Sequence, residues 1–172
     1  MACEIVSTAG GLFVLWGKPT KADFDRILAR IEGLAAAKGK PVIFITRVPM
    51  AAPPPEGDTR NYLNSMMPRF IRVCSSYHVV LEGTGFVSAV KRAILAGLLQ
   101  VGWRNGTFFV HENEKGIFAK VERTLRPDAE AILALAEANG LLTAPPPEDR
   151  TSAPPRGSAR PEGRRAGQPL SR

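Results

Sequence analysis

Residues 12–46 read LFVLWGKPTKADFDRILARIEGLAAAKGKPVIFIT, and this stretch decides the fold. Two short continuous apolar runs, Leu12–Trp16 and Val42–Ile45, enclose a segment whose apolar residues fall at Phe24, Ile27, Leu28, Ile31 and Leu34. The outer runs have the length and the β-branched and aromatic content of strands. The inner spacing is that of a helix with one apolar face. Thr20 stands three residues before Asp23, an approximate capping box, and Gly39 is placed to stop the helix before Pro41 leads into Val42–Thr46. Strand, helix and strand in succession predict a crossover between parallel strands.

Upstream, Cys3–Thr8 and Leu12–Trp16 flank Ala9-Gly10-Gly11, which reads as a hairpin. Downstream, Val48–Pro55 holds four prolines, each without a backbone donor and with φ fixed, and predicts a stiff extended loop. After Gly57, Asp58 or Thr59 is expected to cap a helix whose apolar side is Tyr62, Leu63, Met66, Met67, Phe70 and Ile71. Pro68 inside that pattern predicts a kink or two shorter helices. Ser76–Glu82 reads as a strand, Gly83-Thr84-Gly85 as a turn, and Phe86, Val87, Val90, Ile94 and Leu98 as a helix face. Asn105-Gly106 signals a turn before the strand Thr107–His111. Ile117, Phe118, Val121 and Leu125 predict a further helix, and Pro127 opens a final short one, carrying Ile132, Leu133 and Leu135 and ended by Asn139-Gly140. The expected fold is α/β, a mixed sheet of about five strands with a hairpin start and helical crossovers.

After Ala144-Pro145-Pro146-Pro147 no large apolar residue occurs before Leu170. A Pro-, Gly-, Ser- and Arg-rich segment buries too little surface to offset its chain entropy. The division expected is a folded domain over 1–142 and a disordered tail over 143–172. Of the net charge of +7, the tail carries six arginines against Glu148, Asp149 and Glu162; the remaining charges are scattered along the chain. That distribution leaves nucleic-acid association to the arginine tail alone and weighs against it, since phosphate binding draws on clustered cations. Two cysteines, Cys3 and Cys74, are too few for a disulfide framework. With no apolar stretch of bilayer length and no basic-then-apolar leader in Met1-Ala2-Cys3-Glu4, the expectation is a cytoplasmic protein with reduced thiols and no membrane partner.

The order of elements over Cys3 to Leu125 resembles the STAS domain, the family of bacterial anti-sigma factor antagonists and of cytoplasmic domains on anion transporters. In that family the loop after the third strand leads into a helix whose N-terminus carries a phosphorylatable Ser or Thr, typically preceded by Asp and followed by Ser-Gly. The matching stretch is Asp58-Thr59-Arg60-Asn61. The resemblance implies Thr59 as phosphate acceptor; Arg60 and Asn61 depart from the pattern. The residues read alone make Thr59 or Asp58 a helix cap.

Other chemistry is thinly signalled. Glu82, Thr84 and Gly85 lie where a strand end meets a helix start, a common ligand position in α/β sheets. The Gly-x-Gly there lacks the third glycine and the later acidic residue of a dinucleotide site, so a tight turn is the simpler reading. Cys74, His78 and His111 show no recognised metal-ligand spacing, and no Gly-x-Ser-x-Gly elbow is present. His78 and His111 are therefore read as structural, and no metal or cofactor is expected. The leading expectation is a non-enzymatic regulatory or scaffolding module that binds a protein partner through 53–72, with Asp58, Thr59, Arg60, Tyr62, Leu63 and Met66 at the contact. The alternative is a small-ligand-binding or enzymatic domain using Glu82, Thr84 and His111. Self-association stays open.

Overall fold

The computed structural model describes residues 3–53, 55–82 and 108–142. The hairpin forms as β1 (Glu4–Thr8) and β2 (Gly11–Leu15), antiparallel, with Thr8 opposite Gly11. Then come α1 (Lys21–Lys38), β3 (Val42–Val48), α2 (Gly57–Val73) and β4 (Cys74–Leu81). The remainder comprises β5 (Phe108–His111), the short helix α3 (Lys115–Phe118), a 3-10 turn at Arg123–Leu125 and α4 (Arg126–Ala138). The five strands make one mixed sheet in chain order; β2, β3, β4 and β5 run parallel. The helices α1 and α2 are the crossovers for β2–β3 and β3–β4. The readings of Thr84, Gly85, the helix over 86–98, the turn at 105–106 and the tail fall outside the described residues.

Strand alternation assigns the two faces of the sheet. Leu12, Val14, Val42 and Phe44 point to one side, where they meet Phe24, Ile27, Leu28 and Ile31 of α1 and Met66 and Phe70 of α2. Phe44 lies edge-on to Tyr77 at 4.5 Å and stacks on Phe70 at 5.7 Å. Phe13, Ile43, Ile45 and Val80 point to the other side, against Ile117, Val121 and the inner face of α4. On that second face Ile43, Ile45 and Arg47 stand opposite Ser76, His78 and Val80 respectively, and Val80 stands opposite His111.

The start and stop of α1 are as read from the sequence. Thr20 Oγ1 accepts the Asp23 N–H while the Asp23 carboxylate accepts the Thr20 N–H, and Gly39 closes the helix at φ 69°. Such a cap contributes about 1 kcal/mol. Four local readings are corrected. The residue before α2 is Glu56, so Asp58 and Thr59 lie inside the first turn and neither caps it. The strand β3 runs two residues further than Thr46, to Val48, so the loop begins at Pro49. Of the two outcomes expected at Pro68, the division into two shorter helices is not what forms: α2 is one piece through it, because Met66 and Phe70 on either side are held in the core against the roughly 3 kcal/mol cost of an interior proline. The segment from Ile117 to Leu125 is not a single helix: α3 ends at Phe118, and Val121 is brought inward across a turn. Among the described residues no helix is long and apolar enough to cross a membrane.

Candidate functional site

Two places concentrate chemistry, one at the start of α2 and one on the opposite face of the sheet. At the first, no side chain caps the opening turn of α2; the Thr59 N–H donates to the Glu56 carbonyl at 2.9 Å. That turn borders a hollow of about 80 Å³ lined by Lys18, Pro19, Pro53, Pro55, Glu56 and Thr59. The prolines wall it because their rings are held by the fixed φ of the loop and of the segment before Thr20. A space this small is well below the roughly 300–1,000 Å³ of sites that enclose a ligand or cofactor, and suits a single inserted side chain.

The residues read as a contact surface divide here. Asp58 and Arg60 are exposed, and Thr59 is half-buried at the hollow. Tyr62 is half-buried: its hydroxyl donates to Asp25 at 2.6 Å, and Lys21 Nζ lies 5.8 Å from its ring centre. Leu63 packs on the core, and Met66 is buried inside it. Tyr62 and Leu63 thus tie α2 to α1. Met66 is buried, because its position on the helix faces the sheet.

The second place is a polar row buried on the α4 side of the sheet. Ser76 and His78 share a face of β4 at a two-residue spacing, and His78 Nε2 lies 3.0 Å from Ser76 Oγ. His78 Nδ1 lies 3.0 Å from Nε2 of His111 on β5. The rings are nearly parallel, and Phe109 stacks on His78. One N–H serves the contact between the two imidazoles, so the row reads in either direction, with Ser76 donating to or accepting from His78. Burial pushes His78 down to about 4, helped by the neighbouring His111; burial also lowers His111, helped by Lys120. Both rings are therefore neutral at pH 7. Gly116 of α3 stands directly over His111: a Cβ there would come within 2.8 Å of Nδ1.

Beside this row Arg47, buried at the end of β3, pairs with Glu82 just beyond β4 and lies 3.7 Å from Glu114 at the start of α3. Its Nη1 donates to the Leu141 carbonyl at 2.9 Å, and its Nε has no hydrogen-bond acceptor among the described residues. Glu82 also accepts the Met50 N–H at 3.4 Å, where the proline-rich loop starts. Glu82 thus links Arg47 to the start of the loop whose later prolines line the hollow.

Sequence reading missed Arg47 altogether. The signal was present: one charge inside the otherwise apolar VIFITRV, which in a strand covered on both faces demands a partner. It placed His78 and His111 in strands and read each one singly, and the structure brings them together. Glu82 and His111 are neighbours of Arg47 and of α3 respectively, while Thr84 lies outside the described residues. Among the described residues no three His, Cys, Asp or Glu side chains gather as a metal site. Cys3 and Cys74 are unbonded and buried in the core between the sheet and α1 and α2, and burial pushes the Cys74 thiol up to about 12.

No family model, curated protein or solved structure matches this chain.

Proposed function

We propose that this chain is a non-enzymatic regulatory or scaffolding module of STAS-like architecture that binds a protein partner through the loop and opening turns of α2. The observation that carries the reading is the hollow at Thr59, too small to enclose a cofactor and bordered by prolines, Lys18 and the uncapped first turn of α2. A rigid rim with one shallow receptacle is how an interface anchors a single side chain of its partner. A phosphate on Thr59 would occupy the same space, so modification and partner entry compete. The contact surface is then Asp58, Thr59 and Arg60 with the rim of the hollow; Met66 supports it from within.

A photo-crosslinking residue placed at Arg60, with the same residue placed at the exposed Ala134 of α4 as control, tests the surface. We expect one protein to be captured from position 60 and not from 134. Once purified, it should bind the intact chain one to one, with Thr59→Arg weakening it about tenfold, a change of roughly 1.4 kcal/mol. Equal capture from both positions, or binding indifferent to Thr59→Arg, rejects the reading.

A second reading draws on Ser76, His78 and His111, whose spacing matches a nucleophile, its base and a group orienting the base. Ser76 and His78 are both buried, which ranks it behind the first. A fluorophosphonate probe separates the two. No adduct is expected; stoichiometric labelling of Ser76, abolished in His78→Gln, would make the protein an acyl-transfer enzyme.

A further inference from the structure

The polar row and the loop before α2 belong to one connected set of contacts. His111 bears on Gly116, so the opening of α3 rests on its ring. Glu114, at the head of α3, faces Arg47; Arg47 holds Glu82 and the Leu141 carbonyl; Glu82 accepts from Met50 in the loop. This chain of contacts runs from the two imidazoles to the start of the loop whose later prolines line the hollow at Thr59.

We propose that His78 and His111 form a proton-controlled latch: neutral, the pair seats α3 and, through Arg47 and Glu82, the start of the loop at 49–52; protonated, it frees α3, loosens that segment and weakens partner binding. This rests on the reading of the hollow as a partner surface. The geometry explains why charge opens the latch. Two rings 3.0 Å apart nitrogen to nitrogen accommodate one shared N–H; a proton added at an outer nitrogen keeps that bond but leaves a cation in a buried space, and protons on both facing nitrogens would set two donors against each other. Among the described residues Ser76 of β4 touches His78 and Lys120 beyond α3 acts on His111. The elements packed against the pair also carry Arg47 on β3, Glu82 just beyond β4 and Glu114 and Lys115 at the start of α3, and Glu112 follows His111 in the chain. On α4, Asp128 is engaged by Lys38 at 2.6 Å. Glu114 lies against Arg47, and Lys120 opposes charge on His111.

The sign follows from a base held neutral by the fold. The closed state is fully favoured above the ordinary histidine value of 6.5 and is lost as pH falls from there toward about 4. Imidazole nitrogen shifts of the full chain, recorded from pH 8 to pH 4 together with amide exchange corrected for intrinsic rates, test it. Both rings should titrate below 6.5. Protection at 116–121 should fall about tenfold per pH unit for each proton taken up, and at 50–52 by no more than about fivefold in all, since the Glu114–Arg47 contact that transmits it is long and half-exposed, while amides of α1 stay protected. In His78→Gln and His111→Gln that pH dependence should flatten. Rings titrating at 6.5, α1 losing protection in step with the two segments, or an unchanged slope in the variants would each overturn the latch. The wild-type titration decides even if a variant does not fold. None of these readouts involves a partner, and crosslinking at pH 7.5, with the latch closed, tests the partner surface on its own.

Discussion

Arg47→Met should lower the unfolding free energy by about 3 kcal/mol, the lower end of what removing one member of a buried ion pair costs. The side chain is covered, and it joins the ends of β3 and β4 to the head of α3 and the Leu141 carbonyl. Methionine fills much of the volume but takes the guanidinium from the Glu82 carboxylate, which keeps the long Met50 N–H contact, and from the Leu141 carbonyl. Glu82 and Glu114 keep some access to water, which moderates the loss. Arg47→Lys should recover only part of it, since one ammonium cannot span groups on three sides. Glu114→Gln should cost under about 1 kcal/mol, because its contact is longer and more exposed. Urea midpoints at unchanged slope measure all three. A loss below about 1 kcal/mol in Arg47→Met would mean that the fork contributes no more than a surface pair.

Gly11→Ala should be at least as damaging, about 3 kcal/mol or more, at or beyond the upper end of the cost of overpacking. A Cβ at Gly11 would be driven into the backbone carbonyl of Ile43 and stand 2.9 Å from the Ile132 side chain. The carbonyl belongs to the parallel ladder, and the Ile43 N–H is itself bonded to Gly10 at 3.0 Å, so neither side can retreat without parting β2 from β3. Gly33→Ala is the control. Nothing lies within 4 Å of its would-be Cβ, in the middle of α1, and the variant should gain about 1 kcal/mol from helix propensity. If both glycine variants shift stability alike, the close approach at Gly11 is not what that residue protects.

These outcomes also mark how far the residues could be read without coordinates. The capping box at Thr20 and Asp23, the Gly39 stop and the hairpin around Ala9-Gly10 were legible because each signal lies within a few residues of the structure it specifies. The cap of α2 was misread for a similar reason: Asp58 and Thr59 are good capping residues, but the proline-rich loop delivers the chain into the helix at Gly57, one turn position too early for either to serve. At Pro68 propensity alone allows a break into two helices, and burial of Met66 and Phe70 keeps α2 in one piece. At the candidate sites, Thr59 was visible as a residue of interest, whereas the hollow beside it depends on Lys18 and Pro19 arriving from the segment before α1.

Composition, periodicity and turn chemistry on their own determined an α/β chain with a hairpin and helical crossovers, since those depend on φ preferences and on which side of an element is apolar. Only the folded structure decided that His78 meets His111, and that Arg47 reaches Glu82, Glu114 and Leu141, which is 94 residues away. Parallel strands are joined by long connections, so no local turn sets their register. Which side chains stand opposite one another emerges from packing both faces of the sheet at once.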